Sequence, residues 1–184
     1  QQTAQAQVRI EFADGVFNPE DTVLSSIYTN YFGSGMSSVV FQELREARAL
    51  AYSAQARYSQ GSRENAENLM LGVIGTQTDK TVDALTAFLD LIDNMPRSSE
   101  RFEESVNSLL NRYRTAKLNF REVIGAVRSW ERLGFETDPR RERFQQLQNA
   151  SLDELLAFQQ EHVQNRPKLI SIVGDLSIID TNEL

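Results

Sequence analysis

The stretch Tyr31–Tyr58, YFGSGMSSVVFQELREARALAYSAQARY, decides how this chain is read. Gly33-Ser34-Gly35 breaks the helix before it, because glycine reaches the left-handed backbone that a helix C-terminus often needs. Ser37 or Ser38 can cap the next helix. Met36, Val40 and Leu44, with Val39 and Phe41 beside them, recur at a helical period and predict one buried face. Glu43, Arg45, Glu46 and Arg48 gather toward its end. The period then changes to two. Leu50, Tyr52, Ala54, Ala56 and Tyr58 alternate with Ala51, Ser53, Gln55 and Arg57, which predicts a strand with one more polar face. Arg45 thus ends the helix and Tyr52 stands just inside the strand.

Upstream, Val8, Ile10 and Phe12 alternate with polar residues from Gln7 to Phe12, another strand, and Asp14-Gly15 reads as a turn. Asn18-Pro19-Glu20-Asp21 is a helix start: a cap, a proline in the first turn, and acids at the positive helix end. Val23, Leu24, Ile27, Tyr28 and Tyr31 keep the period up to Gly33. Downstream, Gln60–Asn65 is a polar loop and Leu69–Thr76 is apolar on both faces, a central strand pairing most simply with Leu50–Tyr58 as an antiparallel hairpin. A helix follows from Thr78 or Asp79, with Val82, Leu85, Leu89 and Ile92 as its stripe. Ser98 or Ser99 caps a long helix with Phe102, Val106, Leu109, Leu110 and Tyr113 on one side. Helical patterns recur from about Arg121 to Leu133 and from Ser151 onward, where Leu152, Leu155, Leu156 and Val163 point inward. A last strand, Leu169–Val173, is apolar on both faces, and a short terminal turn or helix follows Gly174-Asp175.

The order is strand, two helices, two strands, three or four helices, strand. It predicts one α+β domain over residues 1–184, an antiparallel or mixed sheet with helices mainly on one face. With 184 residues, 40% of them hydrophobic and 24% charged, the chain has the composition of a folded domain. A net charge of −7 argues against a nucleic-acid partner. The absence of cysteine excludes disulfides and thiolate metal sites. No apolar run approaches the roughly 18 residues that a membrane span needs. The opening Gln1-Gln2-Thr3-Ala4-Gln5 lacks both a secretory pattern and an initiator methionine, so the chain is expected to be part of a longer or processed protein.

The organising stretch resembles the non-catalytic domains of the pitrilysin/insulinase-type zinc metallopeptidases. Their pattern is close to G-x-G-M-S-S-x-L-F-x-E-L-R-E-x-R-G-L-A-Y-S. Gly33, Gly35, Met36, Ser37, Ser38, Phe41, Glu43, Leu44, Arg45, Glu46, Arg48, Leu50, Ala51, Tyr52 and Ser53 match it, and Ala49 stands where the pattern has glycine. The later order of elements fits as well. The resemblance implies an α+β peptidase-family fold and a clamshell partner, in the same chain or a second subunit, that brings zinc and a general base. It also implies that Arg45 and Tyr52 contact peptide substrate near the scissile bond.

An arginine fork and a phenol can hold the carbonyls of an extended peptide, or stabilise charge developing on one of them. Without the resemblance the ordinary reading is the better one: Arg45 pairs with Glu43 or Glu46 at the surface and Tyr52 packs in a sheet. With it, substrate contact is the expectation. The family's zinc site needs His-x-x-Glu-His and a further glutamate. His162 is the single histidine, so this chain cannot build that site, and no catalytic, cofactor or metal-binding residue is expected in it. His162 reads as a partly exposed residue near a helix C-terminus. The turn at Gly33-Ser34-Gly35 lacks a P-loop lysine and follows a helix, so it is structural. Asp138–Arg143 is a helix start or a docking patch, and Trp130 is expected to be buried. The resulting expectation is a substrate-contacting, non-catalytic domain of a zinc metalloendopeptidase, extracytoplasmic in a bacterium. The alternatives are an inactive assembly domain of the same fold and an unrelated ligand-binding module.

Overall fold

A computed structural model describes residues 5–175 and 177–179. Strands β1 (Gln5–Val16), β2 (Ala51–Ser59), β3 (Glu67–Gln77) and β4 (Leu169–Val173) form one sheet in the order β2-β3-β1-β4, and every pairing is antiparallel. The fold is α+β. The β2–β3 hairpin forms as its alternation predicts, with Ala54 opposite Ile74 and Tyr58 opposite Met70. The helices are α1 (Thr22–Tyr28), α2 (Thr81–Asp93), α3 (Ser99–Thr115), α4 (Val123–Arg132), α5 (Arg140–Asn149) and α6 (Leu152–His162). Two π-helical segments, Thr29–Gly33 and Phe41–Ala47, lie on either side of the glycine turn.

The core follows from the periodicities. Val8, Ile10 and Phe12 turn to one face of β1 and meet Ile27, Tyr28, Phe32, Phe88 and Ile92 from the helices in one cluster that runs on to Val163. Helix α1 lies against α3, α5 and α6, and α2 against β1 and β3. Gln7 and Arg9, on the opposite face, are exposed. That face stays open among the described residues, although it carries apolar side chains: Leu71 and Val73 are half-buried, and Leu169 and Val173 are exposed. Leu69–Thr76 and Leu169–Val173 form strands as expected, and β3 is central in the sheet. Their second face is apolar, but nothing among the described residues covers it. Helix α4 is similar: no residue of it is buried, and Val123, Ile124 and Val127 are exposed.

Several caps sit where the side-chain chemistry places them. The Asn18 carboxamide accepts the Glu20 N–H, and the Ser98 hydroxyl accepts the Arg101 N–H. Ser151 and Glu154 form a reciprocal capping box. Asp14-Gly15, expected as a turn, is instead a β-bulge within β1: Gly15 takes a φ of +46° and the register shifts between Asp14 and Val16. Helix α5 begins within Asp138–Arg143, where a helix start is one of the two expectations. Only Leu147 of it is buried, so it carries almost no apolar period to read. The expected terminal turn forms at Asp175, whose carboxylate accepts the Ser177 N–H and whose carbonyl accepts the Ile178 N–H; residues 180–184 lie outside the described residues.

Candidate functional site

Gly33 ends the first π-helical segment because nothing larger fits. A Cβ there would stand 2.1 Å from the backbone oxygen of Ala56 in β2. The contact holds this segment against the outer edge of β2. Thr29 reinforces it, its hydroxyl donating to the Tyr58 carbonyl and accepting the Tyr58 N–H. The segment thereby covers part of a sheet edge that would otherwise be open. Gly35, at φ +87°, reverses the chain, and Ser38 Oγ donates to the Gly35 carbonyl. The helix that follows buries Val39, Val40 and Leu44. Met36 is 75% exposed, contrary to the expected stripe, because it lies in the turn before the helix phase begins.

From Phe41 to Ala47 the helix widens to the π form, and the Arg48 N–H reaches the Glu43 carbonyl five residues back. Such widened turns are rare and often sit at functional sites. This one carries Arg45. The guanidinium lies over the Phe41 ring, 4.8 Å from its centroid, and its Nε stands 3.6 Å from Glu46. The partner is thus a weak, exposed neighbour, as the ordinary reading expects.

The segment ends at Ala49, which takes a φ of +48°. The family pattern has glycine at this position, and the left-handed backbone is the physical reason. An alanine there carries strain of about 1–2 kcal/mol. Ala49→Gly is therefore expected to raise stability by about 0.5–1 kcal/mol, the greater freedom of unfolded glycine offsetting part of the relief. A rise of about 1–4 °C in melting temperature would register it, and a lower melting temperature would contradict it.

Strand β2 does not continue the simple alternation. Ala51 is opposite Thr76 and Ser53 is opposite Gly75, so Tyr52 is the extra residue of a bulge. Ala51 and Ala54 both point inward, and Tyr52 leaves the face it would share with Ala54 and Tyr58. It is 42% exposed, and its hydroxyl donates to Gln5 Oε1 at 3.4 Å. Its ring lies over Gly75, where a Cβ would come within 2.7 Å of the ring carbons. Gly75 is thus a supporting residue that the sequence reading missed. Its only signal was a glycine inside an apolar strand, the ordinary mark of close approach.

The bulge and the π turn bring the two residues together. Arg45 and Tyr52 line one cavity of about 330 Å³, along with Gly35, Met36, Phe41 and Gln55. The cavity is lined by a guanidinium, a phenol and an apolar thioether. Such a surface can donate hydrogen bonds to carbonyl oxygens, and its hydroxyls, on Ser34, Ser53 and Tyr52, have no histidine or carboxylate beside them in the lining to activate them.

His162 lies partly exposed at the end of a helix, as expected, but it carries a partner that the sequence does not show. It ends α6 with its ring against Phe158 and Tyr58, and its Nδ1 is 2.8 Å from Asp14. Its side chain is 18% exposed and belongs to a buried polar network. Among the described residues no group of three or more histidine, cysteine or acidic side chains converges as a metal site requires. Zinc therefore does not fit the described residues of this chain. No helix among the described residues is long and apolar enough to cross a membrane.

Comparison with known proteins gives a family model described as the peptidase M16 inactive domain, which matches residues 2–109. None of the curated proteins compared matches in sequence. Among solved structures, the peptidase M16 inactive domain from Pseudomonas fluorescens superposes with a TM-score of 0.80 at 14% identity, covering 95% of this chain and 42% of that one. The "Inactive Peptidase Domain of a Putative Zinc Protease" from Bordetella parapertussis gives 0.72 at 14% identity, covering 94% of both chains. A chain of Complex III2 from Candida albicans gives 0.68 at 13% identity, covering 98% of this chain and 45% of that one. At these identities the likeness is one of fold. The chain spans about two fifths of the length of the Pseudomonas fluorescens structure.

Proposed function

The chain belongs to the peptidase M16 family as its inactive domain, and from that premise we propose that it is the substrate-contacting, non-catalytic domain of a zinc-dependent metalloendopeptidase that closes over peptide substrates. The observation that carries this reading is the shared cavity of Arg45 and Tyr52, two side chains that reach it only through a π turn and a bulge. In this role Arg45 and Tyr52 donate hydrogen bonds to the carbonyls of an extended peptide. A zinc-bearing partner domain, in the same protein or a second subunit, supplies the metal and the attacking water. This chain's contribution is orientation and stabilisation of charge on the substrate oxygen. The uncovered apolar side chains of the open sheet face and of α4 fit a domain that works against another surface.

The second reading is an inactive domain that serves assembly. The likeness to a chain of Complex III2 and the neighbourly Arg45–Glu46 pair favour it. Reconstitution separates the two. Cleavage of a quenched fluorescent peptide is measured for the zinc-bearing half with and without this chain. The substrate-contact reading expects no cleavage by this chain alone, with or without zinc, and a clear rise when the two are combined. Stable association without any rise in turnover would establish the assembly reading instead.

A further inference from the structure

A second cavity, of about 570 Å³, opens between α3, α4 and α5 and is far from neutral. Arg112, Arg140, Arg141 and Arg143 line it, with Tyr113, Trp130 and Phe144 between them. Its one acid, Asp138, is already engaged. The Asp138 carboxylate accepts both the side chain and the backbone N–H of Arg140 at the start of α5, and these bonds hold its pKa below the usual carboxylate range. Arg140 is thereby neutralised, and its guanidinium covers one face of Trp130 at 5.2 Å. Trp130, expected to be buried, is instead a half-exposed wall of this cavity.

The other three arginines have no such partner. Among the described residues, no carboxylate lies within 4 Å of Arg112, Arg141 or Arg143. Arg143 is the telling one. Its Nε is buried with no hydrogen-bond partner, its guanidinium rests on the Phe135 ring at 4.8 Å, and desolvation lowers its pKa. Asp138 and Glu142 attract it from beyond ion-pair distance, but half-burying a guanidinium without a contacting carboxylate costs stability, and such a group normally has a partner. The chain as a whole carries −7, so a concave cluster of unpaired arginines is not a by-product of a basic surface. Volumes of a few hundred Å³ suit small molecules, and arginine forks suit oxyanions in particular.

We propose that this cavity binds a small polyanion, a molecule carrying two or more phosphate or carboxylate groups, through Arg112, Arg141 and Arg143. It is independent of the Arg45–Tyr52 cavity and does not rest on the peptidase reading.

Trp130, the chain's single tryptophan, is a built-in reporter. Its fluorescence is titrated with pyrophosphate and, separately, with citrate, at constant ionic strength so that general screening is held fixed. The two probes distinguish phosphate from carboxylate recognition. A saturable change with at least one probe is expected. It should weaken at least tenfold in Arg141→Gln and in Arg143→Gln and persist in Arg57→Gln on the open sheet face. Arg141 is exposed, so its variant tests the site even if Arg143→Gln fails to fold. No saturable response, a response that sodium chloride reproduces, or equal affinity in the Arg141 and Arg57 variants would overturn the proposal. So would binding of hexaglutamate with neither small probe bound, which would reassign the cavity to an acidic protein segment.

Discussion

Arg45→Ala is expected to lower peptide turnover in the assembled enzyme by about a hundredfold. The loss of one donor aimed at a developing oxyanion costs about 10²–10³ in rate. The lower end applies because the Arg45 side chain is half exposed and water can partly replace it. The loss should fall on kcat with KM little changed, since charge on the substrate oxygen appears only as the reaction proceeds. Tyr52→Phe removes a single neutral donor and should cost less. Folding should be nearly untouched. The Arg45–Glu46 contact is an exposed 3.6 Å pair between sequence neighbours, worth well under ~1 kcal/mol. Steady-state kinetics and a thermal melt on the same preparation decide the matter. A loss below about threefold, with melting unchanged, would remove Arg45 from the reaction and leave it a surface residue.

Asp14→Ala is expected to cost about 3 kcal/mol of stability, roughly 6–12 °C in melting temperature for a chain of this size. The carboxylate is 3% exposed and serves three partners. Tyr58 Oη donates to Oδ2 at 2.7 Å, His162 Nδ1 stands 2.8 Å from the same oxygen, and an Arg166 nitrogen lies 2.7 Å from Oδ1. Alanine would leave a buried phenol without an acceptor and a guanidinium without its counterion. Arg166 is partly exposed, so water limits the loss on that side. Urea denaturation measures the difference, and a change under ~1 kcal/mol would mean the network carries no structural weight.

The same network sets an alkaline limit. Burial and the adjacent Asp14 carboxylate push the Tyr58 phenol far above its ordinary 10.0, and burial alone raises Tyr28. Above that ordinary value the unfolded tyrosines ionise while the folded ones stay protonated. Their contribution to stability is therefore complete below pH 10 and is lost as pH rises beyond it. Tyr58→Phe should flatten the decline.

Much of the fold was legible because burial leaves a period. Val8, Ile10 and Phe12 announce a strand, and Ser151 with Glu154 announces a helix start. The failures share a cause. A period assumes regular geometry, and the site depends on departures from it. One extra residue at the β2 bulge moves Tyr52 out of the face that counting assigns it, yet leaves no mark in composition. Met36 falls out of the counted stripe because it lies in the turn before the helix begins at Val39. The left-handed Ala49 shows only as an alanine in a glycine's place. Pairing Arg45 with Tyr52 came from the resemblance to a family pattern; the shared cavity could not be read from spacing. The partner of His162 is hidden for another reason. Asp14 lies almost a whole chain away, and no local pattern joins them. The arginine cavity was visible only as a run of charge from Asp138 to Arg143, because Arg112 and Trp130 come from other helices.

The sheet order has a consequence for how the chain comes to be folded during synthesis. β1 is interior, but its two neighbours arrive at very different times. β3 leaves the ribosome within the first half of the chain, whereas β4 emerges about a hundred and sixty residues after β1. Until then the outer row of β1 amides from Gln7 to Glu11 has no strand to receive it. The nascent chain can close the β2–β3–β1 unit early, but must shield one raw edge through the synthesis of five helices. That interval is when a holdase chaperone, or a misplaced strand of another nascent copy, would find its opening.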